Sequence, residues 1–134
     1  MFLVDANVLS ESTRLAPSPK AVEWLRRNER KLLVDSIILG ELQVGILSLV
    51  PGRKRTALES WFDSMINTID CVPWDRSVSL RWAKLVSDLK RRGKRLPLLD
   101  SMVAATALTH NLTVATRNIR DFRAARVKVV DPFT

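Results

Sequence analysis

Short apolar runs alternate with longer amphipathic segments along the chain. The runs predict strands at residues 2–4, 32–34, 71–72, 112–115 and 127–130. The first run, residues 2–4, is apolar throughout, which is typical of a strand that is buried on both faces of a parallel sheet. Between the runs, apolar residues recur at helical spacing, so the pattern predicts an α/β fold.

Capping residues mark the ends of these predicted helices. Ser18, Ser36 and Asp75 are suited to helix starts, and Asn111 is suited to a left-handed helix stop. Strands and helices therefore alternate, and we expect one domain over residues 1–134, with a parallel sheet and helices on both faces.

Composition narrows the class of protein. Of 134 residues, 46% are hydrophobic, which excludes a mostly disordered chain. No apolar run approaches the ~20 residues of a membrane span, so no membrane partner is expected.

The lone cysteine, Cys71, precludes an internal disulfide and suits a reducing cytoplasm. Its apolar neighbours predict a small core residue rather than a nucleophile.

The formal net charge of +8 favours an anionic partner, with nucleic acid first. The basic residues cluster at 26–27, 30–31, 53–55 and 90–95. Any one cluster could instead be a solvated helix face.

Five polar residues are expected at one edge of the sheet. Asp5 ends the first strand, Glu41 lies early in the helix after the second, and Asp100 lies one turn into the helix before the fourth. A helix that joins parallel strands begins at their carboxyl edge, which places all three there. Asn118 and Asp121 follow the fourth strand at the same edge.

Gathered carboxylates repel one another, and protons or a metal must compensate them. Asp5 could instead form an Asx turn, and Asp100 could be stabilised by the dipole at the N-terminus of its helix. Glu41 lies too deep in its helix for most of that dipole stabilisation. Oxygen donors without Cys or paired His indicate Mg²⁺, with Mn²⁺ as the alternative. The single histidine, His110, lies at a predicted helix end and is interpreted as structural.

The motifs that carry these residues resemble a known family. They are Leu3-Val4-Asp5-Ala6-Asn7, Gly40-Glu41-Leu42, Asp100-Ser101-Met102-Val103-Ala104-Ala105 and Thr116-Arg117-Asn118 with Asp121-Phe122. In order and spacing they resemble the PIN domain, and most closely the VapC-type toxins of bacterial toxin–antitoxin pairs, including the FitB-like branch.

The resemblance implies a three-layer sandwich with sheet order 3-2-1-4-5 and a Mg²⁺-dependent endoribonuclease toxin. RNA hydrolysis would then leave 5′-phosphate and 3′-hydroxyl ends. Asp5, Glu41 and Asp100 match the family's acidic triad, which is both catalytic and metal-binding.

The fourth acidic position of the family is less regular here. Many relatives have Asp where this chain has Asn118, so either Asp121 supplies the charge or Asn118 acts as a neutral group. Asn7, Ser36 and Thr116 are expected to hydrogen-bond around the triad, although Ser36 is equally explained as a helix cap.

The resemblance also implies partners: an RNA substrate, a second copy in a homodimer, and a cognate VapB-like antitoxin, with a joint hetero-oligomer on promoter DNA. An apolar surface around Ile46, Leu47, Trp61 and Phe62 is the expected interface, unless it is all core. An antitoxin Arg that enters the acidic pocket would displace the metal, because guanidinium matches carboxylates bidentately.

Two other classes of protein are alternatives. A non-catalytic PIN-fold module that binds nucleic acid, or regulates together with its antitoxin, would also need the basic surface. A phosphoryl-accepting receiver-like domain would need an acidic pair before the acceptor Asp and a Lys after the last strand, and the sequence has neither.

Overall fold

Five parallel strands form one sheet in the computed structural model, which describes residues 1–134. The strands are β1 (Phe2–Val4), β2 (Leu32–Asp35), β3 (Asp70–Val72), β4 (Thr113–Ala115) and β5 (Val129–Val130). Their order across the sheet is β3-β2-β1-β4-β5, which confirms the predicted order. Phe2 pairs with both Leu32 and Thr113, so β1 is the central strand.

Seven helices connect and cover these strands. They are α1 (Ala6–Leu9), α2 (Pro19–Arg27), α3 (Ser36–Leu47), α4 (Arg53–Ile66), α5 (Arg76–Arg91), α6 (Leu98–His110) and α7 (Ile119–Ala124). The predicted caps Ser18 and Asp75 accept hydrogen bonds from the backbone N–H groups of Ala21 and Val78. Asn111 ends α6 in the left-handed conformation, as predicted. None of the helices is both long and apolar enough to cross a membrane.

The central strand is buried on both faces. Leu3 and Val4 are each fully buried, and successive side chains of a strand point to opposite faces of a sheet. Helices must therefore cover both faces, as the continuous apolar run predicted. The α/β fold class is confirmed.

The start of α3 differs from the prediction. Asp35, not Ser36, is the N-cap, because its Oδ1 accepts a hydrogen bond of 2.8 Å from the backbone N–H of Ile38. The strand before it is accordingly one residue longer than expected. Ser36 becomes the first helical residue and is exposed, so the prediction that it caps the helix is wrong.

The prediction that Cys71 lies in the core is also wrong. Its thiol is free and the residue is exposed. The reason is topological: Cys71 belongs to β3, which is an edge strand and has two exposed residues of three. An apolar neighbourhood in sequence does not bury a residue at the edge of a sheet.

Candidate active site

The candidate site begins where the two central strands end side by side. Asp5 directly follows β1, and its backbone N–H donates to the carbonyl of Ala115, the last residue of β4. Thr116 directly follows β4 and is fully buried. Parallel pairing therefore brings Asp5 and Thr116, which are far apart in sequence, to the same carboxyl edge.

Asp5 is a nearly buried carboxylate with both oxygens engaged. Its Oδ1 accepts a hydrogen bond of 2.9 Å from the N–H of Ala6 and caps α1. Its Oδ2 accepts one of 2.8 Å from the hydroxyl of Thr116. The two interpretations of Asp5, as a turn-forming residue and as a site residue, are thus compatible. Burial raises the pKa of Asp5, although both hydrogen bonds oppose the rise.

Thr116 connects Asp5 to the segment that follows β4. Its hydroxyl oxygen accepts a hydrogen bond of 2.9 Å from the backbone N–H of Asn118. A single buried hydroxyl therefore orients the Asp5 carboxylate and holds the chain at Asn118. A buried polar network that is fully satisfied in this way favours one side-chain arrangement.

Asn118 joins two further acids. Its amide nitrogen donates to Asp100 Oδ2 at 2.9 Å and to Asp121 Oδ2 at 3.0 Å. The amide thus lies between two carboxylates that would otherwise repel each other. Burial and the charges of Asp5 and Asp121 raise the pKa of Asp100, and the bond from Asn118 lowers it.

Glu41 is the least compensated acid of the site. It lies on α3 and is half-buried, and its Oε1 has no hydrogen-bond partner. Burial raises the pKa of Glu41 to about 7, with further contributions from the negative charges of Asp5, Asp100 and Asp35. Asp5 after β1, Glu41 on α3 and Asp100 on α6 thus lie at one edge of the sheet, and each negative charge opposes the ionisation of Glu41.

No cation of this chain neutralises the cluster. The ion pairs in the structure involve Glu11, Glu23, Glu59 and Asp88, and none reaches a site carboxylate. The donors are carboxylate oxygens, which suit Mg²⁺ or Mn²⁺. Glu41 Oε1 has no hydrogen-bond partner and could therefore serve as a ligand of a cation. In the structure, however, no three acidic, His or Cys side chains lie close enough together to form a metal-binding group.

Asp35 is a further acid that the sequence analysis missed. It is 1% exposed, and its Oδ2 has no hydrogen-bond partner. Burial raises its pKa, and its charge adds to the repulsion on Glu41. One signal could have identified it: Asp35 ends β2 in the same way that Asp5 follows β1, at the same edge of the sheet.

Two predicted neighbours of the triad make no hydrogen bond to it. Asn7 is exposed and lines a cavity of about 270 Å³ together with Glu41. Ser36 lines a shallow pocket beside Glu41 and Leu99 and touches no site carboxylate through a hydrogen bond. Only Thr116, of the three residues expected to support the triad, hydrogen-bonds to one of its members.

Comparison with known proteins identifies the family. A family model described as "PIN domain" matches residues 2–128. The chain belongs to the PIN-domain family.

Toxin FitB of Neisseria gonorrhoeae is 35% identical over 140 residues, which cover 99% of each chain. VapC ribonuclease Y4jK of Sinorhizobium fredii is 28% identical over 137 residues, which cover 99% of this chain and 98% of the relative. Two solved structures superpose with a TM-score of 0.93. They are a crystal structure of FitAcB from Neisseria gonorrhoeae (34% identity; 99% of each chain) and a structure of FitAB bound to an IR36 DNA fragment (33% identity; 100% of this chain and 96% of that one).

The raised pKa of Glu41 predicts how the metal-free protein responds to pH. The folded state holds this proton more tightly than the unfolded chain, so the contribution to stability is full below pH 4.5 and is lost as the pH rises through about 7. Glu41→Gln should remove this loss of stability, because the glutamine side chain stays neutral at every pH. In chelator, the variant should be more stable to urea than the unchanged protein above pH 7, and the difference should shrink toward pH 4.5.

Glu29→Gln is the matched control, because it makes the same change on an exposed side chain. It should not alter the pH dependence of the free energy of unfolding. Equal stability of Glu41→Gln and the unchanged protein above pH 7 would show that Glu41 carries no electrostatic strain.

Proposed function

We propose that this protein is a divalent-metal-dependent endoribonuclease and the toxin of a toxin–antitoxin pair. The observation that carries the proposal is the group of acids at the carboxyl edge of a PIN-domain sheet with no cation of the chain beside it. The names of the relatives, a toxin and a VapC ribonuclease, support the same activity.

Asp5, Glu41 and Asp100 are the residues that would hold Mg²⁺, with Mn²⁺ as the alternative. When bound, such a cation lowers the pKa of an adjacent water and offsets the charge of the phosphodiester. Glu41 would use its unpartnered oxygen, and Asp100 would use the oxygen that Asn118 leaves free.

The remaining residues orient these acids. The Thr116 hydroxyl directs one oxygen of Asp5, and the backbone of Ala6 directs the other. Asn118 separates Asp100 from Asp121 by donating to both. Asn118 therefore acts as a neutral positioning group, and Asp121 supplies the fourth negative charge.

A non-catalytic PIN-fold module that works with an antitoxin is the second candidate. One observation favours it: the acids do not form a ready-made metal-binding group. Such a module would bind RNA equally well in Mg²⁺ and in chelator and would leave it intact.

The partners implied by the family also belong to this proposal. Of the residues of the expected interface, Leu47 is exposed and Ile46 is buried, while Trp61 and Phe62 are partly buried and pack against the core. Part of that surface is thus core, and the exposed part is available to a second copy and to a VapB-like antitoxin. The structure of FitAB bound to an IR36 DNA fragment supports an assembly of toxin and antitoxin on DNA, for which we propose promoter DNA.

Asp5→Asn and Asp100→Asn should each abolish Mg²⁺-dependent cleavage of structured RNA, because each removes a charge that would hold the cation. Asp63→Asn, a change on the exposed side of α4, should cleave like the unchanged protein. Gel analysis with end-group chemistry should find 5′-phosphate and 3′-hydroxyl products. Cyclic phosphate ends, or full activity of either site variant, would contradict the assignment.

Asn118 and Asp121 should differ in importance. Asn118→Ala leaves two neighbouring carboxylates without their shared donor, and loss of such a supporting hydrogen bond typically costs about 10–100-fold in metal affinity or activity. Asp121→Asn keeps an oxygen that can accept from Asn118 and should reduce cleavage less. Cleavage rates of both variants over a Mg²⁺ titration test this order, and the reverse order would make Asp121 a metal ligand.

A further inference from the structure

An acidic site does not attract a polyanion, so RNA affinity must come from basic residues nearby. The topology separates two candidate pairs. Arg30 and Lys31 directly precede β2 and lie at its amino end, on the opposite edge from the acids. Lys94 and Arg95 precede α6, which begins at the carboxyl edge and carries Asp100 in its first turn.

A groove of about 550 Å³ lies between the second half of α5 and the start of α6. Cavities of about 300–1,000 Å³ are typical of sites for small ligands. The groove has an apolar wall and a basic rim and contains no acidic residue; its lining includes Trp82, Val86, Leu96, Lys90, Lys94 and Arg95.

The three cations of the rim are free to bind a ligand. Neither Lys90, Lys94 nor Arg95 forms an ion pair within the chain. Arg92, by contrast, is structural: it donates to Asp88 Oδ2 and to the carbonyl of Ala124, both at 2.9 Å. These bonds anchor the loop to α7 while leaving the rim cations unpaired.

The groove lies beside the first turn of α6, which carries Asp100. The indole N–H of Trp82 donates to the hydroxyl of Ser101 at 3.0 Å. Ser101 also lines the groove and is the residue that follows Asp100. The apolar wall thus contacts α6 one residue after Asp100. Successive residues of a helix face different directions, so a strand bound at Asp100 would pass around this turn of α6 to reach the groove.

We propose that this groove binds the RNA strand next to the phosphodiester that is cleaved, with Lys90, Lys94 and Arg95 contacting phosphates. The apolar wall takes the face of a base or ribose. The inference rests on the proposed function, since it assumes that the substrate is RNA. The charge of the rim and the absence of acids favour a nucleic acid strand over an uncharged ligand.

The test is the affinity of a fluorescein-labelled single-stranded RNA of mixed sequence, measured by anisotropy in chelator over a salt series. Replacing both Lys94 and Arg95 by Ala should weaken binding by about tenfold at low salt and reduce the salt slope by about 1.4, because each phosphate contact on a single strand contributes about 0.7. Replacing Arg30 and Lys31 by Ala is the matched control. It removes the same two residue types and should change the affinity by less than about twofold.

A second pair of variants tests the apolar wall. Val86→Glu places a carboxylate in the groove and should weaken RNA binding. Leu80→Glu makes a comparable change on an exposed position of the same helix, outside the groove, and should not. Both sites are exposed enough to accept the change without loss of the fold, which circular dichroism checks.

Equal RNA affinities of the Lys94/Arg95 and Arg30/Lys31 variants would overturn the inference. The inference would also be overturned if the Lys94/Arg95 variant lost affinity for labelled oligoglutamate but kept its affinity for RNA, because the groove would then bind acidic peptide. Failure of the proposed function is distinct from both results: the unchanged protein would not cleave RNA in Mg²⁺, while the groove variants would still bind RNA more weakly.

Discussion

The burial of neighbouring carboxylates at one edge of the sheet, together with their mutual repulsion, is the constraint on which the rest of this structure depends. Parallel pairing of β1 and β4 and the starts of α3 and α6 bring Asp5, Glu41 and Asp100 to one edge. The chain offsets the resulting strain only in part. Thr116 and Asn118 donate to three of the acids, but Glu41 retains an unpartnered oxygen and a pKa of about 7. This uncompensated negative charge is the observation behind the proposal that a divalent cation completes the site.

The protein separates its two electrostatic tasks in space. The carboxyl edge concentrates negative charge, while a net charge of +8 is carried mainly by exposed Lys and Arg. The basic surface attracts the phosphate backbone of a nucleic acid, whereas the acids repel it unless a cation lies between the acids and the phosphates. This division explains why a strongly basic protein can have an acidic centre, and why binding and cleavage of RNA should be separable by mutation.

The fold and the position of the acids were predictable because both follow from chain topology. A continuous apolar run predicted a central strand, and the direction of crossover helices placed Asp5, Glu41 and Asp100 at one edge. Side-chain geometry was not predictable in this way. Whether Asp35 or Ser36 caps α3, and whether Asn118 faces one acid or two, depends on backbone angles of a few residues. The burial of Cys71 was mispredicted from its apolar neighbours, although the sheet order that the resemblance implies already places the third strand at the edge.

The most direct test of this account is the thermal unfolding of the protein with and without Mg²⁺ at constant ionic strength. A ligand that binds only the folded state raises the midpoint of unfolding. We expect Mg²⁺ to raise the midpoint of the unchanged protein and of the Asp63→Asn control, and to have little effect on Asp5→Asn or Asp100→Asn. A midpoint that Mg²⁺ and Mn²⁺ leave unchanged in the unaltered protein would contradict the claim that these carboxylates form a metal site.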